Sequence, residues 1–189
     1  MPARRVAPSL PPGRWRWLAV PLLATLLAVS GCGPKSNTFA PYCPATARLP
    51  DAQRLTLYRP GGGQDVTDLI LQGEIVDVTG TCTNGDADNT VAVDVVVTFR
   101  FNRGPAMQTR AMDVPYLFTV SRGDTIMEQA RFGMRASFPP NIDTIALSSD
   151  PIHLVFPVTK TTNAASYSVW ATFQLTPEQL EQNRQRAGR

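Results

Sequence analysis

Apolar and polar positions alternate with period two through most of this chain. Thr90–Phe101 is the clearest run: Val91, Val93, Val95, Val97, Phe99 and Phe101 against Ala92, Asp94, Val96, Thr98 and Arg100. A strand projects successive side chains to opposite faces, so such a run buries one face and leaves the other to solvent. The same period recurs at Val114, Tyr116, Phe118 and Val120, and at Ala130, Phe132, Met134, Ala136 and Phe138. It returns at Ile152, Leu154, Phe156 and Val158, and at Tyr167, Val169, Ala171, Phe173 and Leu175. Leu69–Val78 reads as a further strand, paired with Thr90–Phe101 through a turn over Thr79–Asn89.

Turn chemistry separates these runs: Asn84-Gly85-Asp86, Asn102-Arg103-Gly104-Pro105, Arg122-Gly123-Asp124 and Pro139-Pro140-Asn141. Seven or eight strands with no helix among them predict an all-β fold, a two-sheet antiparallel sandwich. No Trp lies between Cys43 and Cys82, so it is immunoglobulin-like in architecture only. The chain then changes period. Thr176-Pro177-Glu178-Gln179 supplies an N-cap, a proline at the first helical position, an acid in the first turn and the capping-box Gln, predicting a short helix over 177–186.

The pattern differs at the other end. Arg4, Arg5, Arg14 and Arg16 precede a 13-residue apolar stretch, Trp17–Val29, and Ser30 and Gly31 follow it. That is the three-part order of a secretory signal. Val29-Ser30-Gly31-Cys32 resembles a bacterial lipobox, which implies cleavage before Cys32 and a diacylglyceryl group on its sulfur. The alternatives are a plain secretory signal and a membrane anchor. The uncharged run Trp17–Pro34 is 18 residues and is interrupted by Pro21, Gly31, Gly33 and Pro34, whereas a spanning helix needs ~20 predominantly apolar residues. The expected organisation is a signal peptide over 1–31, a lipidated N-terminus and tether over 32–52, and one sandwich domain over 53–189. Each buried methylene contributes ~0.8 kcal/mol, and two acyl chains hold where one binds marginally. Gly33, not Asp, follows the cysteine; by the enterobacterial sorting rule the resemblance implies the outer membrane, facing the periplasm.

Removing the signal changes the charge. The full chain carries 18 basic and 15 acidic residues, a formal +3. Residues 1–31 hold four of the arginines and no acid, so the remainder stands at 14 basic and 15 acidic, or −1. The basic excess that would suggest nucleic acid belongs to the signal. Cysteine use agrees with export. Setting Cys32 aside leaves Cys43 and Cys82, an even number in an oxidising compartment, expected to form a disulfide. A metal pair or two free thiols are the alternatives; one His in the chain and no C-x-x-C argue against the metal.

Candidate chemistry is sparse. His153 is the sole histidine and sits on the polar side of an apolar strand. Ser148-Ser149-Asp150 lies too near it on one strand end to form a relay, and there is no G-x-S-x-G elbow. Pro60-Gly61-Gly62-Gly63 lacks the Lys and helix of a phosphate loop and reads as a flexible turn. Thr83–Asn89 has calcium-compatible oxygens but not the ligand spacing of a calcium loop. Arg122-Gly123-Asp124 spells an adhesion tripeptide and reads as hairpin punctuation. No catalytic, metal or cofactor site is expected, and the chain is not expected to be an enzyme.

The lipobox, Cys43-Pro44 with Cys82, Gly104-Pro105, Val114-Pro115-Tyr116 and the closing Phe173–Leu180 segment resemble small lipoproteins of Gram-negative bacteria that have no assigned activity. The resemblance covers most of the chain beyond the signal and implies a shared fold, not a shared active site. The expected function is a membrane-tethered periplasmic interaction or structural module whose partner is an envelope protein or cell-wall component. The alternative is a small-molecule or glycan binder using a loop-end pocket, with Tyr116, Trp170 or Phe138 as aromatic platform.

Overall fold

The computed structural model describes residues 42–187; the expected signal peptide, Cys32 and the first part of the tether lie outside them. Nine strands and one helix follow in order: β1 (Ala45–Arg48), β2 (Arg54–Tyr58), β3 (Leu69–Asn84), β4 (Thr90–Arg103), β5 (Ala111–Arg122), β6 (Thr125–Ser137), β7 (Thr144–Ser148), β8 (Ile152–Pro157), β9 (Tyr167–Phe173) and α1 (Pro177–Ala187). One sheet has the order β1-β9-β5-β6; the other runs β2-β3-β4, with β7 and β8 both on the far side of β4. The sheets stay open and pack as a sandwich, as the alternation requires.

The inward faces interlock through aromatic rings. Phe99 and Phe101 of β4 stack at 5.8 Å, and Phe99 meets Tyr116 of β5 at 5.0 Å and Phe173 of β9 at 6.0 Å. Phe99, Phe101, Val93, Val95 and Val97 are fully buried, so the odd-numbered face of β4 is the centre of the core. Gly73 on β3 lies under these rings: a Cβ there would sit 2.9 Å from Phe101 and 3.0 Å from Phe173.

Three features depart from the sequence reading. First, Ala45–Arg48, read as tether, is a strand, and it pairs parallel to β9, so the sandwich is not wholly antiparallel. Four residues are too few for a periodic signal. What holds them is tertiary: the Cys43–Cys82 disulfide, with Cα atoms 5.9 Å apart, ties this segment to β3, and the Arg48 guanidinium donates to the Val76 carbonyl at 2.6 Å.

Second, β3 runs on to Asn84, beyond the expected Val78. Its pairing with β4 slips by one residue between Ile75 and Asp77. Leu71, Gly73 and Ile75 point inward before that bulge, and Val78 and Cys82 after it. The alternation therefore changes phase at Val76, and a reading at constant period loses the strand there.

Third, Thr144–Ser148 forms a strand, β7, in a segment that the alternation does not mark. It pairs with the second half of β4 and β8 with the first half. Ile145 and Leu147 turn inward from β7, and Ile152, Leu154 and Phe156 from β8. Odd positions give way to even ones across Ser149–Pro151, again because of an extra residue.

The closing helix matches its signals. The Thr176 N–H donates to Gln179 Oε1 at 2.9 Å and the Gln179 N–H to Thr176 Oγ1 at 3.3 Å, a reciprocal capping box. Asn183 Nδ2 donates to the Asp51 and Arg54 carbonyls, both at 2.8 Å, docking α1 beside β2 with none of its residues buried. Among the described residues no helix is long and apolar enough to cross a membrane.

Candidate functional site

The two lateral sides of the sandwich differ. One is closed by β1, the disulfide and Arg48. The other is open: β6 is the last strand of its sheet, and β7 with β8 forms the last layer of the other. A cleft of about 500 Å³ lies between them, lined by Tyr116, Phe132 and Met134 on one wall and by Ser149, Ile152 and His153 on the other.

The β7–β8 interruption builds the second wall. The Ser149 N–H donates to the Val97 carbonyl at 2.9 Å, and Ser149 Oγ accepts the Val97 N–H at 3.0 Å. The hydroxyl stands in for a ladder carbonyl where the strand is broken. Pro151 has no N–H to give, so pairing restarts only at Ile152. The irregular segment Ser149–Pro151 is thus held against β4 while its outer side faces the cleft.

The opposite wall is aromatic. Phe132 of β6 stacks on Tyr116 of β5 at 5.5 Å, and both point inward from directly paired positions. Tyr116 is buried, and burial pushes its phenol above the ordinary tyrosine range; the Ser149 hydroxyl partly opposes this and the Asp150 charge adds to it. The phenol therefore stays protonated, facing Ser149 at the floor of the cleft.

His153 stands at the rim, cross-strand from Asp94, with Nδ1 2.8 Å from Asp94 Oδ1. Both are exposed, and no hydroxyl or thiol bonds the imidazole among the described residues. Ser149 Oγ accepts from the Val97 N–H and lies against Tyr116. The groups brought together offer hydrogen bonding and apolar contact.

β6 is 13 residues long and pairs on one side only, with β5. Its outward face carries Gln129, Arg131, Gly133 and Arg135. Arg135 pairs with Asp113 at 3.1 Å across the ladder. Arg131 has no ion pair among the described residues. The inward face of β6 carries Ala130, Phe132 and Met134, only partly covered.

The three aromatic residues considered for a platform do not assemble. Tyr116 and Phe138 are core residues, each 3% exposed, because their positions in the alternation face the other sheet. Trp170 points outward and is half-buried, its indole N–H donating to Ser121 Oγ at 3.1 Å. No described aromatic stacks on it.

The glycine loop also differs from a flexible turn. Gly61 has φ +75° and the Gly62 N–H closes on the Arg59 carbonyl at 3.0 Å, a turn that requires glycine. The loop folds over Asp68, whose buried carboxylate accepts from the Arg59 guanidinium and from the Gly63 N–H at 2.6 Å. Nothing in the local sequence marks Asp68 as buried.

Comparison with protein-family models, with curated proteins and with solved structures returns no match, so the chain's own residues carry the functional reading.

Proposed function

We propose that this is a lipid-tethered envelope protein, anchored through Cys32 and facing the periplasm, more specifically at the outer membrane, that acts as an interaction module. Its partner surface is the open side of the sandwich. The observation that carries this is the unpaired edge of β6 lying beside the aromatic cleft.

A free strand edge presents backbone donors and acceptors to an incoming strand, and the flanking side chains set its sequence. Arg131 calls for an acid on the outward face. Phe132 and Met134 call for apolar residues on the inward face, with the cleft to receive the largest. A second copy of the chain does not meet this requirement. Directly opposed residues share a face, and the one acid of β6, Glu128, lies on the face opposite Arg131. The partner is therefore an extended segment of another envelope protein, alternating acidic and apolar residues. A glycan site built on Trp170 has less support, since no second aromatic lies beside it.

Photo-cross-linkers placed singly at Arg131 and at Thr56 of β2 test the surface in intact cells. Capture of one extended, acid-containing peptide from Arg131 and not from Thr56 is expected. Equal capture from both positions, or none from Arg131, rules the surface out. The tether has its own test: Cys32→Ala is expected to move the protein out of the membrane fraction and to abolish acyl labelling, and unchanged fractionation refutes the anchor.

A further inference from the structure

The chain enters the sandwich at one end, through Tyr42. Ala45, Ser168, Ser121 and Ile126 form a continuous row across the first sheet, each paired with the next. At ~4.8 Å per strand the row spans about 15 Å. Tyr42 precedes this row by three residues and is the tenth residue after Cys32. Those ten extend at most ~35 Å at ~3.5 Å each. The tether leaves the sandwich at the end where Tyr42 stands, so that end is the nearest to a bilayer that holds a lipid on Cys32.

Three of the seven large exposed apolar side chains among the described residues stand there. Ile126 is 63% exposed, Met127 50% and Tyr42 58%. Ile126 and Met127 stand next to the tip of the β5–β6 hairpin, after the Arg122–Thr125 turn; Ile126 pairs with Ser121, and Met127 is the bulged residue between that pair and Val120–Glu128. Trp170 is two rows in, on the same face as Ser168, and its indole leans toward this end to reach Ser121. An amphipathic ring with a bonded N–H suits a water–lipid boundary. Arg122 and Lys160 stand at the same end, and Asp86, Asp88 and Asp124 offset them. The attraction this end offers is apolar, not electrostatic.

We propose that this end docks on the bilayer surface, with Ile126 and Met127 seated in the interfacial layer and Trp170 beside it. The proposal rests on the lipid-anchor reading. A patch of two or three side chains binds lipid weakly by itself. Tethering by ten residues raises the local concentration of bilayer to about the millimolar range, which makes a weak contact effective. Docking fixes the sandwich upright, so that β6 and its cleft run away from the membrane.

Trp170 is the only Trp beyond Cys32 and reports the contact directly. The protein, isolated from its own envelope and reconstituted into phosphatidylcholine vesicles with brominated acyl chains, is expected to float with the vesicles and to show quenched Trp170 emission, unchanged by added salt. Ile126→Glu with Met127→Glu is expected to float equally and to lose the quenching, with an unaltered urea midpoint because both positions are exposed. Flotation without quenching, or quenching that survives the double substitution, overturns the docking and leaves the anchor standing. A protein that neither floats nor carries acyl mass at its N-terminus overturns both.

Discussion

Single residues in this fold are set by what lies across the core. Gly73 occupies an inward strand position where a side chain is ordinarily an asset, yet Phe101 and Phe173 take its space. Gly73→Ala forces those rings aside, and overpacking of this kind costs ~1–3 kcal/mol. A lowered urea midpoint with an unchanged slope is the expected result; a midpoint equal to the wild type refutes the close approach. Asp68 makes the same point in charge: its carboxylate is buried because Arg59 and the Gly63 N–H meet it in a loop that looks featureless in sequence. Neither residue announces its role locally. The rings above Gly73 come from β4 and β9, and only folding brings them together.

At the scale of elements, local signals were reliable where they are self-contained. The α1 cap is such a case, since Thr176 and Gln179 satisfy each other within one turn. Thr176→Ala removes the acceptor for the Gln179 N–H and is expected to cost ~1 kcal/mol of helix stability, seen as faster amide exchange over 178–182 with the sandwich amides unaffected. Glu178 is held below the ordinary glutamate range by its own backbone N–H and by Thr176. A depressed carboxylate stabilises the fold above its unfolded value and loses that contribution as pH falls through the folded one. The helix cap should therefore weaken on acidification below the ordinary glutamate range, and amide exchange of α1 followed down that range checks it; no change in Thr176→Ala's penalty with pH counts against the linkage. The strands on constant period, β4, β5, β8 and β9, were legible for the same reason of local completeness. β7 and the far half of β3 were not, because a bulge shifts the phase and the compensating partner, Ser149 Oγ on Val97 or Arg48 on Val76, is distant in sequence. The cleft was missed on the same ground: its wall is the β7–β8 irregularity, which reads as a loop.

For the molecule as a whole, the disulfide closes one lateral side and leaves the other free. Cross-linking residues 39 apart is worth about 4 kcal/mol in the chain-entropy model. Reduction is expected to lower the denaturant midpoint by a corresponding amount and to raise amide exchange in β1 before other strands; a uniform rise in exchange refutes the view of β1 as held chiefly by that bond. Sequence by itself determined the sheet-rich class and the capped helix, because alternation and caps are written in neighbours; it led to the Cys43–Cys82 pair only with Cys32 set aside. Tertiary structure alone decided which sheet edge stays open, that β1 joins β9 in parallel, that Tyr116 and Phe138 serve the core, and that Ser149, Phe132 and His153 face one cleft. Those outcomes depend on contacts between segments many residues apart, and the free energy that selects them arises only when the two sheets meet.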